Sequence, residues 1–140
     1  MLTGSCHCGA VQYEITGEVY GFKHCHCHTC RKIHGTVFGS SALTSAQGFT
    51  VTVGEATLER YESSPGKRRC FCQRCGSHVF AYYDGDPSSI VLRLGTVENF
   101  PAQRPQAHIW VSQKAPWYEI LDDTPQFEED YSESGGIALE

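Results

Sequence analysis

Apolar residues in this chain recur mostly at every second position and in short runs. Val11, Tyr13 and Ile15 alternate with polar neighbours, and Phe49, Val51 and Val53 repeat the pattern. Residues 58–61, 90–94 and 108–111 are further segments of strand length. Turn residues punctuate these runs at Gly17, Gly54, Pro65-Gly66 and Asp84-Gly85-Asp86-Pro87. The intervals are too short for strand–helix–strand units and predict a meander or folded-over sheets. One or two helical turns over 29–33 are the only early helix the pattern allows. The expected fold class is therefore mainly β, built of short antiparallel strands.

At 140 residues the chain fits one domain, and its 40% apolar and 11% aromatic content is that of a globular protein. We place that domain at 1–125. The remainder, 126–140, is acidic with Gly and Ser and little to bury, and is expected to be a loosely held tail. No apolar run approaches the roughly 18 residues that cross a bilayer, so no membrane partner is expected. The first residues lack the basic and apolar regions of a secretory signal, which predicts a cytoplasmic location. A formal charge of −5 argues against a nucleic-acid surface.

Eight cysteines change the picture. Cytosolic thiols stay reduced, so their spacing reads as metal ligation rather than as a disulfide framework. They fall into three groups: Cys6 and Cys8; Cys25, Cys27 and Cys30; and Cys70, Cys72 and Cys75. Cys72-Gln73-Arg74-Cys75-Gly76 is a zinc-knuckle turn, in which two thiolates converge and glycine permits the tight backbone. One knuckle offers two ligands, and Cys6 with Cys8 would complete a closed four-thiolate structural zinc. Cys25, Cys27 and Cys30 would hold a second zinc by three thiolates, the ligand number of a catalytic site with an exchangeable fourth position. Cys70, or one of His24, His26, His28 and His34, is the alternative fourth ligand. Two zinc ions per chain are expected.

The segments C-x-C-G-x-V from Cys6, C-H-C-x-x-C-R-K-x-x-G over 25–35, R-x-F-C-x-x-C-G over 69–76, and H-I-W with S-Q-K-A-P-W-Y-E-I up to Ile120 resemble the glutathione-dependent formaldehyde-activating (GFA) family. Similar domains occur in a centromere protein, centromere protein V. The resemblance implies a zinc-containing β-tent fold and the same division into a structural and a second zinc. It also implies a carbon–sulfur lyase activity, joining glutathione to formaldehyde and reversing that addition. Cys70, at the variable position of R-x-F, departs from the expected ligand pattern.

A zinc-bound thiol is deprotonated, so a small-molecule thiol such as glutathione is the expected partner, with an aldehyde as the electrophile. His26, His28 or His34 could deliver the proton, with His26 the one placed between two ligands. Arg31 and Lys32 follow the last ligand and are candidates for the glutathione carboxylates; Lys67, Arg68, Arg69 and Arg74 flank the third cluster. The same cations would also serve to offset thiolate charge on a solvated face. Trp110, Trp117 and Tyr118 read as core or pocket wall. The competing function is a non-catalytic binding module stabilised by two structural zincs.

Overall fold

The structure, a computed structural model, describes residues 1–130. Ten strands and one α-helix are present among them. The fold is mainly β, as the alternation predicts. The chain forms two compact units, one of residues 1–20 and 43–102, the other of 21–42 and the C-terminal part from 103.

The first unit contains a three-stranded antiparallel sheet in the order β1 (Leu2–Ser5), β2 (Gln12–Ile15), β5 (Phe49–Val53). A second ladder runs as a meander through β6 (Leu58–Ser64), β7 (Lys67–Cys72), β8 (His78–Tyr83) and β9 (Asp86–Arg93). The alternating side chains of β2 explain its place: Tyr13 and Ile15 are buried while Gln12 is exposed. Phe49 bridges the two ladders, its ring 5.2 Å from Tyr13 and 4.8 Å from Phe80. Gly54, at φ 84°, turns the chain after β5 so tightly that a Cβ there would run into the Ala10 carbonyl.

The second unit takes its chain from β3 (Val19–Cys25), α1 (His28–His34), the start of β4 (Gly39–Ser45) and β10 (Ala107–Ile109). Here the expectation of antiparallel pairing fails. β10 runs parallel to β3, with His108 opposite His24 and Ile109 opposite Cys25. These strands are more than 80 residues apart, so no hairpin turn dictates their direction. α1 exceeds the expected helix by one residue at each end, and Gly35 closes it in the left-handed conformation with its N–H on the Arg31 carbonyl.

Of the segment 126–140, expected to be loose, residues 126–130 are hydrogen-bonded beside β10. Phe127 N–H donates to the His108 carbonyl, Val111 N–H to the Phe127 carbonyl, and Trp110 N–H to the Glu129 carbonyl. Phe127 also packs on the core of Cys25, Cys30, Ala107 and Ile109. One partly buried aromatic ring and a run of free backbone groups are enough to dock a segment whose composition is otherwise that of a tail. Residues 131–140 lie outside the described residues. No described helix is long and apolar enough to cross a membrane.

Candidate metal centres

Two knuckles in the first unit bring together the sulfurs of Cys6, Cys8, Cys72 and Cys75, all within 4.8 Å of one another. Each knuckle is a tight turn with a left-handed glycine after its second cysteine. Gly9 (φ 80°) donates to the Cys6 carbonyl at 3.2 Å, and Gly76 (φ 81°) to the Cys72 carbonyl at 2.7 Å. Ser77 joins the knuckles: its hydroxyl oxygen accepts the His7 amide at 3.0 Å and lies 3.2 Å from Cys75 Sγ.

The donor set fits zinc. Zinc–sulfur bonds of about 2.3 Å imply tetrahedral S···S edges of about 3.8 Å. Cys6 Sγ and Cys8 Sγ are 3.7 Å apart, and Cys8 Sγ and Cys72 Sγ 3.8 Å. All eight cysteines are free thiols. The Ser77 hydroxyl and amide hold Cys75 down to about 5. Cys8 goes the other way: the Ala10 amide favours its thiolate, but burial and the three neighbouring sulfurs push it up to about 11. Four thiols this close ionise together only with a cation among them.

The second group, Cys25, Cys27 and Cys30, lies wholly in the second unit, and its sulfurs also fall within 4.8 Å of one another. Three different local structures deliver them. Cys25 ends β3, fixed by its register with Ile109. Cys27 is the N-cap of α1, its sulfur accepting the Cys30 amide at 3.3 Å. Cys30 lies in the first turn and is buried, beside Gly39. Cys27 alone of the three is partly exposed. No fourth His, Cys, Asp or Glu joins the group among the described residues.

Cys70 therefore joins neither set. It is fully buried in β7 opposite Arg60 and Phe80, and burial pushes its thiol up to about 12. A β-bulge in the pairing with β8 falls between Cys70 and Phe71, so simple alternation from Cys72 does not transfer to its surroundings.

The histidines take separate places. His28 is exposed and lies 3.0 Å from an Arg31 guanidinium nitrogen. His24 stacks on Phe38 at 4.1 Å and meets the Ser40 hydroxyl at 2.9 Å. His26 is fully buried, with Nε2 2.8 Å from Nδ1 of His108. Burial above all holds both His24 and His26 down to about 4. That shift favours the neutral imidazole, with one donor and one acceptor nitrogen, for His26 at pH 7. His108 belongs to the H-I-W segment, but Asp122, which contacts it, carries no sequence signal: an acidic residue in a polar stretch looks like solvated surface.

The candidate cations divide. Arg31 and Lys32, with Gly35, Thr36, Val37 and Trp117, line an open cleft of about 600 Å³ in the second unit. Trp117 is 70% exposed there, so it is cleft wall rather than core. Near the third cluster, Arg68 is paired with Asp84 at 3.1 Å and Glu62 at 3.7 Å, Arg69 is buried with Nε on the Ser63 hydroxyl, and Lys67 lies over the Tyr83 ring. All three are engaged by these neighbours. Trp110 packs against the cysteine core at a left-handed φ of 56°.

Comparison with known proteins agrees with this architecture. The family model described as glutathione-dependent formaldehyde-activating enzyme matches residues 1–113. A Halomonas elongata protein whose name assigns it provisionally to that activity is 29% identical over 128 residues, covering 86% of this chain and 81% of its own. A Rhodobacter sphaeroides protein of known crystal structure shares the fold with a TM-score of 0.59 at 23% identity, over 71% of this chain and 90% of its own. The chain belongs to the glutathione-dependent formaldehyde-activating enzyme family.

Proposed function

We propose that the protein is a zinc-dependent carbon–sulfur lyase that adds the thiol of glutathione to formaldehyde or a related small electrophile, and reverses that addition. The observation that carries the reading is the unequal pair of thiol groups: four converging sulfurs in one unit and three in the other. A four-thiolate set completes a tetrahedron and serves structure, whereas three protein donors are the number used where a reactant must exchange. Zinc held by Cys25, Cys27 and Cys30 would lower the pKa of a thiol reaching it, which is the activation this chemistry needs.

The chain's own residues have the following roles. Cys6, Cys8, Cys72 and Cys75 hold the structural ion. Cys27 offers the approach to the second group, being its partly exposed member. Arg31 and Lys32 in the cleft bind the two glutathione carboxylates, with Trp117 as an apolar wall along the peptide. In the addition the sulfur–carbon bond forms, the carbonyl π pair becomes an oxygen lone pair, and the thiol's proton ends on the new hydroxyl. The reading includes a cytoplasmic location, where glutathione and free thiols are reduced.

Exchange NMR on glutathione, formaldehyde and S-hydroxymethylglutathione tests it. Sub-stoichiometric zinc-loaded protein should accelerate exchange without moving the equilibrium, because a catalyst lowers both barriers equally. Arg31→Ala with Lys32→Ala should weaken the glutathione dependence about tenfold or more, the effect of losing one or two charge-assisted contacts. Equal rates for protein, Cys27→Ser variant and buffer would reject the formaldehyde reaction and favour the non-catalytic module.

A further inference from the structure

Trp117 is 70% exposed in the wall of the cleft it shares with Arg31 and Lys32, yet the chain around it is firmly held. Residues 115–118 form a turn: the Tyr118 N–H donates to the Ala115 carbonyl at 3.2 Å, with Pro116 and Trp117 at the two central positions. Pro116 presets the backbone angle that the first of these positions requires. Lys114 then closes the turn from the side. Its ammonium donates to both carbonyls that bracket Pro116 and Trp117, at 3.3 Å to Ala115 and 2.5 Å to Tyr118. The feet of the turn are anchored as well: Ala115 is fully buried, and the Tyr118 ring packs on Phe38 with centroids 6.1 Å apart.

Arg31 and Lys32 line the same cleft from α1. The amide of His28, the first residue of that helix, has no intrahelical acceptor, and the Gln113 side-chain oxygen accepts it at 2.8 Å. Gln113 directly precedes Lys114, so one short segment grips both walls: Gln113 the helix, Lys114 the turn. Stability of the core does not call for this arrangement. Trp110, in the same segment, packs against the cysteine core, whereas the hydrogen bonds over 113–118 hold Trp117 in solvent. Fixing a large apolar side chain in water gains nothing for folding, but it lowers the ordering cost of a ligand that covers it.

We infer that Gln113 and Lys114 are positioning residues that preset the cleft, holding Trp117 and the α1 cations at a fixed spacing so that the cleft prefers a thiol carried on an anionic peptide to a small thiol. The ligand class rests on the proposed function; the preset walls rest on the hydrogen bonds alone. Each residue acts through its wall and not by touching the thiol.

Fluorine-19 NMR of zinc-loaded protein labelled with fluorotryptophan, together with calorimetry of glutathione and cysteine binding, tests this. The chain has two tryptophans, so Trp117→Phe assigns the signals. In the wild type, glutathione should move the Trp117 signal and bind more tightly than cysteine. Lys114→Met keeps the aliphatic stem and removes the ammonium. Without ligand, its Trp117 signal should move toward that of free fluorotryptophan, and its preference for glutathione over cysteine should fall about tenfold, the scale of ordering one or two large side chains on binding. Gln113→Ala should lower the same preference, and Gln113→Glu, which keeps an oxygen for the His28 amide, should retain it. A general loss of structure would weaken both thiols alike. A wild-type Trp117 signal indifferent to glutathione, an unchanged preference in Lys114→Met or Gln113→Ala, or equal loss in Gln113→Glu and Gln113→Ala would overturn the inference. If Lys114→Met fails to fold, the wild-type titration and the Gln113 pair decide it. A preference present in the wild type and lost in the variants, with no catalysed exchange, would instead reject the lyase reaction and leave the preset cleft standing.

Discussion

Cys27 holds three roles in one side chain: N-cap of α1, partly exposed surface, and one corner of the three-sulfur group. Serine keeps the first two and weakens the third, because a hydroxyl can still cap the helix but is a poor zinc ligand. Cys27→Ser should therefore give a folded protein that binds its second zinc at least about tenfold more weakly. Cys72→Ser removes one of four converging ligands from a fully buried position, and structural zinc contributes on the order of 10 kcal/mol to domains of this kind. That variant should fail to fold in soluble form. Circular dichroism and zinc analysis of the two proteins check both statements, and equal unfolding would make both groups structural. All seven ligand candidates are legible in the sequence because C-x-C and C-x-x-C spacings keep sulfurs within reach of one ion, in a tight turn or across a strand end and helix N-cap. The contacts of His108 are not, since its meeting with His26 depends on parallel pairing of distant strands and its meeting with Asp122 on a loop that folds back.

At the scale of elements, the strands that can be read ahead are those with one wet face, such as β2 and β5, whose alternation is visible. β3, β4 and β8 are less legible. β3 places a glycine, a lysine and a cysteine, Gly21, Lys23 and Cys25, on its buried face, and β8 buries three consecutive residues. Lys23 escapes any hydrophobic pattern; it is fully buried and paired with Asp130 at 3.4 Å. The same ion pair helps explain how 126–130 docks despite its acidity. Deleting 126–140 removes the carbonyl acceptors of three amides, those of Trp110, Val111 and Ser112, together with the Phe127 ring. Hydrogen exchange at those amides should quicken about tenfold or more, as the loss of one such bond each implies. Unchanged protection there would show that the segment is not docked in solution.

Across the whole molecule, the division into two units coincides with the division of the thiols. Among the described residues each unit contains one of the two groups, and neither group draws a sulfur from the other unit. On the proposed two-zinc reading, this coincidence predicts that the two ions differ in lability. The first unit's group joins the β1–β2 connection to the end of β7 and the turn after it, so losing an ion held there would undo its tertiary structure. In the second unit β3 pairs with β10 and α1 is capped by its own residues, so its backbone structure should survive loss of an ion from the three sulfurs. Site-resolved alkylation during mild chelation of the zinc-loaded protein tests this most directly, with peptide mass spectrometry reading each cysteine and circular dichroism reading the fold. Cys25, Cys27 and Cys30 should be labelled first, with release of one zinc and an unchanged spectrum, while Cys6, Cys8, Cys72 and Cys75 stay protected and buried Cys70 reacts only on unfolding. Labelling of all seven ligand cysteines at one rate, together with loss of both zinc ions and of the fold, would contradict it.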